Sequence, residues 1–289
     1  MDLDKQIYES DAQGWQRGLY EDIKDTFRAP TVNSIWRAQM YHYPELLRYI
    51  WGQIKPVFQT WDFAAFTVAY RDELLSAIEE DVPQYDRRTI DIPPHEFREL
   101  QGQVATYDSV APRLFIMFKL MHRRIHGQPV GGSSNRSNRT TRPFPVWLDD
   151  NRGRPPTMLS QKAARDAIPD SLAGGLDDMV PSIYRILAQW PKYLDVAWSD
   201  LEPIFGSRAF EEASDAVDEL ADTYLDRLPY TPQVDPQTLS SMGFTDEAIS
   251  DHRDLYDIFD EEATSVVVRL PIYAETVGVT GERDALQYP

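Results

Sequence analysis

Residues 32–58, VNSIWRAQMYHYPELLRYIWGQIKPVF, recur in altered form at 180–205, VPSIYRILAQWPKYLDVAWSDLEPIF. With one gap, nine residue types coincide: Val32/Val180, Ser34/Ser182, Ile35/Ile183, Arg37/Arg185, Pro44/Pro191, Leu47/Leu194, Trp51/Trp198, Pro56/Pro203 and Phe58/Phe205. The offset drifts from 148 at the arginines to 147 at the tryptophans and 146 at Pro83/Pro229, as single-residue deletions in one copy produce. DELLSAIEEDVP at 72–83 and DELADTYLDRLP at 218–229 continue the correspondence. Order kept over such a span marks a duplicated unit, roughly 18–127 and 166–280, whose copies bury their apolar faces on each other.

The periodicity inside the copies is helical. In 210–228, Phe210, Ala213, Val217, Leu220, Tyr224 and Leu228 recur every three or four residues, with Asp and Glu opposite them. Phe63, Phe66, Tyr70, Leu74 and Ala77 repeat the pattern. PRLFIMFKLMHRRIHG (112–127) is apolar nearly all round, so it predicts a buried helix that starts at Pro112 and stops at Gly127. The stretch from about 261 to 277 predicts its counterpart. No strand–helix–strand rhythm and no hairpin series is present. The fold class is therefore all-α: two pseudo-repeated helical units forming one compact pseudo-dimer.

Between the copies the sequence loses its helical period. QPVGGSSNRSNRTTRPFPVWLDDNRGRPPT (128–157) is rich in Gly, Ser, Asn, Pro and Arg and reads as a long connection. Its five Arg against two Asp make it locally basic, and the protein's own acids are the expected partners. The expected organisation is an N-terminal repeat over 1–127, a Gly/Pro/Arg-rich linker over 128–165 and a C-terminal repeat over 166–289.

Charge and cysteine content remove several function classes. The net charge is −18 and the pI about 4.6, a field that repels nucleic acid and anionic membranes. There is no cysteine, hence no disulfide, thiolate metal site or thiol nucleophile. No apolar run approaches the ~20 residues of a spanning helix, and the charged start MDLDKQIYESDAQ lacks a secretory h-region. A cytoplasmic protein is expected. Of the acids 30 are Asp and 17 Glu, and of the bases 23 are Arg and 6 Lys, a balance that suits a halophilic, high-salt cytosol.

Two constellations carry chemistry. His122 and His126 are four apart on one helix face, the spacing of paired metal ligands, but Arg123 and Arg124 lie between them and no HExxH forms. The pair reads as a cationic helix end complementing the dipole, and no metal is expected. The repeat core V-[NP]-S-I-[WY]-R begins a helix in each copy, with start-type residues Asn33, Ser34, Pro181 and Ser182. Helix starts present free N–H groups to anions, and Arg37 and Arg185 suit a carboxylate. The same serines also serve as plain caps, and the same arginines as partners for carboxylates between repeats.

YEDIKDTFRAPTVNSIWR (20–37), the P-x-x-L-x-x-x-W pattern in both copies, APRLFI (111–116), QPVGG (128–132) and LAQWPKYL (187–194) together resemble the group I, D,L-acting 2-haloacid dehalogenases. The resemblance runs over nearly the whole chain and rests on the order and spacing of these motifs. It implies an all-helical pseudo-dimer with a pocket between the repeats, a homodimer, and no metal or organic cofactor. It also implies a chemistry: an Asp acts as general base on a water, an Asn helps hold that water, and the water displaces halide at the carbon next to a carboxylate, with inversion. In this sequence the Asp position is Ile183 and the Asn position is Ala111, while the neighbouring Ser182 matches. Two aromatic pocket positions after Ala29-Pro30 are Thr31 and Ser34. Thr31, Ser34, Arg37, Ala111, Ser182, Ile183 and Arg185 are thus the pocket candidates. Two functions follow as expectations. One is a hydrolytic dehalogenase whose base is displaced to Asp178, Asp177 or Asp108. The other is a non-catalytic homologue that binds a small organic acid or serves as a scaffold.

Overall fold

The computed structural model describes residues 1–132, 142–149, 153–169, 172, 180–260 and 264–284. Among them there are helices and loops but no strand, only one isolated bridge between Thr60 and Pro143. The first half contains α1 (Trp15–Phe27), α2 (Ser34–His42), α3 (Pro44–Ile54), a 3-10 turn (Lys55–Gln59), α4 (Trp61–Ser76) and α5 (Pro94–Ile125). After the connection come α6 (Gln161–Arg165), α7 (Ser182–Leu187), α8 (Pro191–Phe205), α9 (Arg208–Asp226), α10 (Pro236–Ser241), α11 (Asp246–Ile258), α12 (Thr264–Val267) and α13 (Leu270–Thr276).

Local chemistry sets the starts. The Asn33 side chain accepts the Ile35 N–H ahead of α2, Thr60 accepts that of Phe63 ahead of α4, and Ser207 that of Phe210 ahead of α9. Pro44 and Pro191 open α3 and α8, where a missing N–H costs nothing. α4 lies along α9, with Phe63 and Phe66 5.8 and 5.5 Å from the Tyr224 ring. Phe27, Trp36, Trp51 and Phe58 form an edge-to-face cluster under α1 and α2.

Two helix limits differ from the sequence expectation. The central helix does not start at Pro112; it runs from Pro94 to Ile125 with Pro112 inside it. Pro112 has no N–H for the Asp108 carbonyl. That carbonyl faces Arg71 Nη2 at 3.4 Å instead, and the Arg113 guanidinium bonds the Ser109 carbonyl. Buried arginines thus offset the defect that a proline leaves in a helix. The late counterpart is two short helices, α12 and α13, separated by a turn at Val268–Arg269 just ahead of Pro271.

The connection packs on the first half. Trp61 N–H donates to the Arg142 carbonyl, Phe144 N–H to Gln59 and Arg154 N–H to Gly102. Gly153 passes so close to Thr106 that a Cβ there would lie 2.0 Å from its hydroxyl oxygen, so only glycine fits. Of the linker's arginines, Arg154 pairs with Glu99 at 2.5 Å and Arg142 stacks 4.6 Å over Trp61. Arg136, Arg139 and Arg152 lie outside the described residues.

No helix among the described residues is long and apolar enough to cross a membrane. Acids crowd the solvent side instead: Glu211, Glu212, Asp215, Glu219, Asp222 and Asp226 are partly or fully exposed along α9. Their repulsion weakens as the Debye length falls from about 10 Å at 0.1 M salt to about 3 Å at 1 M. The thermal midpoint is therefore expected to rise between about 0.1 M and 2 M KCl, measured by circular dichroism; a flat response contradicts this.

Candidate functional site

The starts of α2 and α7 meet across α5 at two adjoining cavities of about 160 and 40 Å³. The larger far exceeds the ~10–15 Å³ that one water needs, so it has room for a small organic molecule. Asn33, Ser34, Tyr107, Leu114, Ser182 and Arg185 border both. Phe259, Val266, Val267 and Leu270 give the larger cavity an apolar wall, and Leu3, Asp4, Gln6 and Tyr8 border it from the N-terminal segment. Asp4 and Tyr8 are exposed, so the cavity reaches solvent there.

The sequence-derived candidates divide by what the structure places around them. Ser34 and Ser182 stand at the two helix starts, and Ile183 lines the larger cavity with buried methyls. Thr31 lines only the smaller one, and its hydroxyl donates to Glu9 at 3.1 Å. Arg37 also lines the smaller cavity and is already occupied. It donates to Gln6 at 3.0 Å, lies 3.6 Å from Glu9 and stacks 4.8 Å over Tyr8. Burial alone would raise the Glu9 carboxyl, but the Val32 N–H, the Arg37 charge and the Thr31 hydroxyl hold it below its usual value.

Arg185 differs from Arg37. It is half-buried, its Nε donates to the Leu159 carbonyl at 2.9 Å, and among the described residues no carboxylate pairs with it. Beside it, burial pushes the Tyr107 hydroxyl up to about 12, against the pull of Ser182, Arg185 and Arg37. Tyr107 is therefore a neutral hydroxyl at neutral pH.

Two candidates do not reach the site. Ala111 is fully buried and borders neither cavity. Tyr107, Leu114 and Phe118 present the cavity face of α5; Ala111, four residues after Tyr107, shares that face, but its single methyl is packed in the core and stops short of both cavities. Asp108 is also off the cavities: its carboxylate meets Arg71 Nε at 3.1 Å and accepts the Gly281 N–H at 3.0 Å. Asp177 and Asp178 lie outside the described residues. Among the described residues the only carboxylate bordering either cavity is exposed Asp4.

Sequence reasoning missed Tyr107, Gln6 and Tyr8. Tyr107 had a signal, a polar aromatic four residues before the Ala111 position on the same helix. Gln6 and Tyr8 had none, because only tertiary packing brings the N-terminal segment across Arg37.

Comparison with known proteins adds three findings. The family described as halocarboxylic acid dehydrogenase DehI matches residues 30–161, which include Thr31, Ser34, Arg37 and Tyr107 but not Ser182–Arg185. An (R)-2-haloacid dehalogenase of Pseudomonas putida is 24% identical over 220 residues, 73% of this chain and 72% of that protein. A configuration-inverting 2-haloacid dehalogenase of Pseudomonas sp. (strain 113) is 24% identical over 236 residues, 75% and 72% of the two chains. Solved structures of a D-2-haloacid dehalogenase, one with L-LA and one of a mutant with D-2-CPA, superpose with TM-scores of 0.77 and 0.75 at 18% identity. They cover 94% of this chain, so the all-α fold is shared with them. The matches together support the 2-haloacid dehalogenases as this chain's relatives.

Proposed function

We propose that the chain holds a small organic acid between the starts of α2 and α7, in a dehalogenase-type pocket that has no general base beside Ser182. The observation that carries this reading is the Arg185 guanidinium, which borders both cavities without a carboxylate partner among the described residues. A ligand carboxylate supplies the charge it lacks, in the forked geometry arginine favours. The Tyr107, Ser34 and Ser182 hydroxyls are neutral donors for the ligand's remaining oxygen or halogen. The apolar wall from Phe259 to Leu270 suits a short alkyl chain. The relatives' names make a 2-halo acid the natural ligand class.

Ile183 gives this reading its chemistry. Displacement by water needs a proton acceptor within hydrogen-bond reach of that water, and an isoleucine side chain has none. The pocket then holds the acid without hydrolysing it. A second reading rests on the relatives, both 2-haloacid dehalogenases: the hydrolysis is kept and Asp177 or Asp178 supplies the base.

Calorimetric titration of 2-chloropropionate in 2 M KCl tests the first reading. Saturable binding is expected, weakened about 10–100-fold by Arg185→Gln, the loss typical of a hydrogen bond to a charged group. No saturable binding, or equal affinity in the variant, overturns it. The reading also includes a duplicated chain of repeats 1–127 and 166–289 joined by 128–165, a homodimer and a high-salt cytoplasm. Sedimentation in KCl measures the assembly.

A further inference from the structure

His122 and His126, set aside in the sequence because of the arginines between them, have acquired partners. α11 and the turn after it bring Asp257 and Asp260 against this end of α5. His126 Nε2 lies 2.7 Å from Asp257 Oδ1, and His122 Nδ1 lies 3.4 Å from the same oxygen and 3.5 Å from Asp260 Oδ2. His122 Nδ1 and Asp260 Oδ1 are buried atoms without a hydrogen bond. His122, His126 and Asp257 each offer a donor atom within 4.8 Å of the others. Two ligands of one tetrahedral zinc, each about 2.0–2.2 Å from the ion, stand about 3.3–3.5 Å apart. The two His122 separations match that value.

The neighbouring cations are engaged elsewhere. Arg123 reaches Asp226 at 2.6 Å, Asp222 at 3.4 Å and the Pro129 carbonyl. Arg124 reaches Asp235 at 2.8 Å and the Pro232 carbonyl. Lys119 pairs with Asp218 at 2.8 Å. The sequence objection to a metal therefore loses its force: the arginines leave the helix on other faces, each with its own carboxylate. The four side chains are one-fifth to two-fifths exposed, which leaves an ion a path in.

We propose that His122, His126 and Asp257, with Asp260 as fourth donor, form a binding site for one divalent transition-metal ion of the zinc class. Two imidazoles with two carboxylates suit that class, and they neutralise its charge. The ion would pin the end of α11 to α5. Phe259, between the two aspartates, packs 5.2 Å from Phe118 and lines the larger cavity, so the ion fixes part of the cavity wall. The proposal does not depend on what that cavity binds.

Untagged full-length protein, freed of metal by chelation, is dialysed against Zn²⁺ in 1 M KCl at pH 7.5. One ion per chain is expected, with affinity reduced at least tenfold in H122N/H126N and unchanged in H95N. At a hundredfold excess over Kd, Zn²⁺ raises the thermal midpoint by about 4 °C, and Mg²⁺, which prefers an all-oxygen shell, does not. If the double variant fails to fold, His126→Gln at its partly exposed position decides by the same affinity criterion. Absence of stoichiometric binding in the parent, or affinity untouched by these substitutions, overturns the proposal.

Discussion

Asp149→Ala is expected to destabilise the protein by about 3–5 kcal/mol, the cost of leaving buried charge uncompensated. Asp149, at the end of the described stretch 142–149 of the connection, has a side chain fully removed from solvent, as have Arg71, Asp108 and Arg113. Its two oxygens bridge the arginines, Oδ1 to Arg71 and Oδ2 to Arg113, each at 3.1 Å. Arg71 keeps Asp108 if Asp149 is removed; Arg113 loses its one carboxylate partner among the described residues. Burial already pulls Arg113 down to about 10, with Asp149 the main opposing influence. Its remaining company is the Ser109 carbonyl and the rings of Phe63 and Phe144. Asp149 also sits at φ 59, a conformation that alanine adopts poorly. Asp149→Asn separates the two effects, because asparagine tolerates that φ and lacks only the charge. Denaturant unfolding in 2 M KCl is expected to show most of the loss in the asparagine variant. A change below about 1 kcal/mol in both variants would show that the network contributes little.

This network marks where the sequence stopped being legible. The amphipathic period gives α9 to within two residues because its burial is one-sided and local sequence records it; α4 comes out as closely although it is buried nearly all round from Phe63 to Arg71. α5 was truncated at Pro112, because a proline reads as a helix start wherever its tertiary support is invisible. That support comes from Arg71 and Asp149, 37 and 41 residues away from Asp108 along the chain. Nothing local announces such a pairing.

The site was legible in the same uneven way. Ser34, Ser182 and Arg185 stand in a helix-start stretch that the sequence displays, and Ile183 comes from the resemblance; all four line the cavities. Ala111 comes from the resemblance alone; its methyl, buried in the core on the same helix face as Tyr107, stops short of the cavities. The difference between Arg37 and Arg185 is invisible, since both close a V-[NP]-S-I-[WY]-R stretch; Gln6, Tyr8 and Glu9 satisfy one and spare the other. The surroundings of the His pair are invisible for a related reason: sequence places Arg123 and Arg124 beside it but not Asp222, Asp226 and Asp235, which draw them off.

The second large effect concerns chemistry. A missing general base typically costs about 10²–10⁴ in rate, and the position beside Ser182 is Ile183. Exposed Asp4, at the cavity's open side, is no substitute held against a positioned water. Ile183→Asp is the converse test, alone and with Ala111→Asn, and it is expected to introduce slow turnover. The single change is the more informative, since Ala111 is packed in the core and an asparagine there strains α5. The most direct measurement follows bromide release and ligand binding together, for both enantiomers of 2-bromopropionate with the parent protein in 2 M KCl. Saturable binding is expected, with bromide appearing no faster than in buffer alone. Catalytic bromide release by the parent protein would contradict it and move the base to another carboxylate, with Asp178 the first to replace.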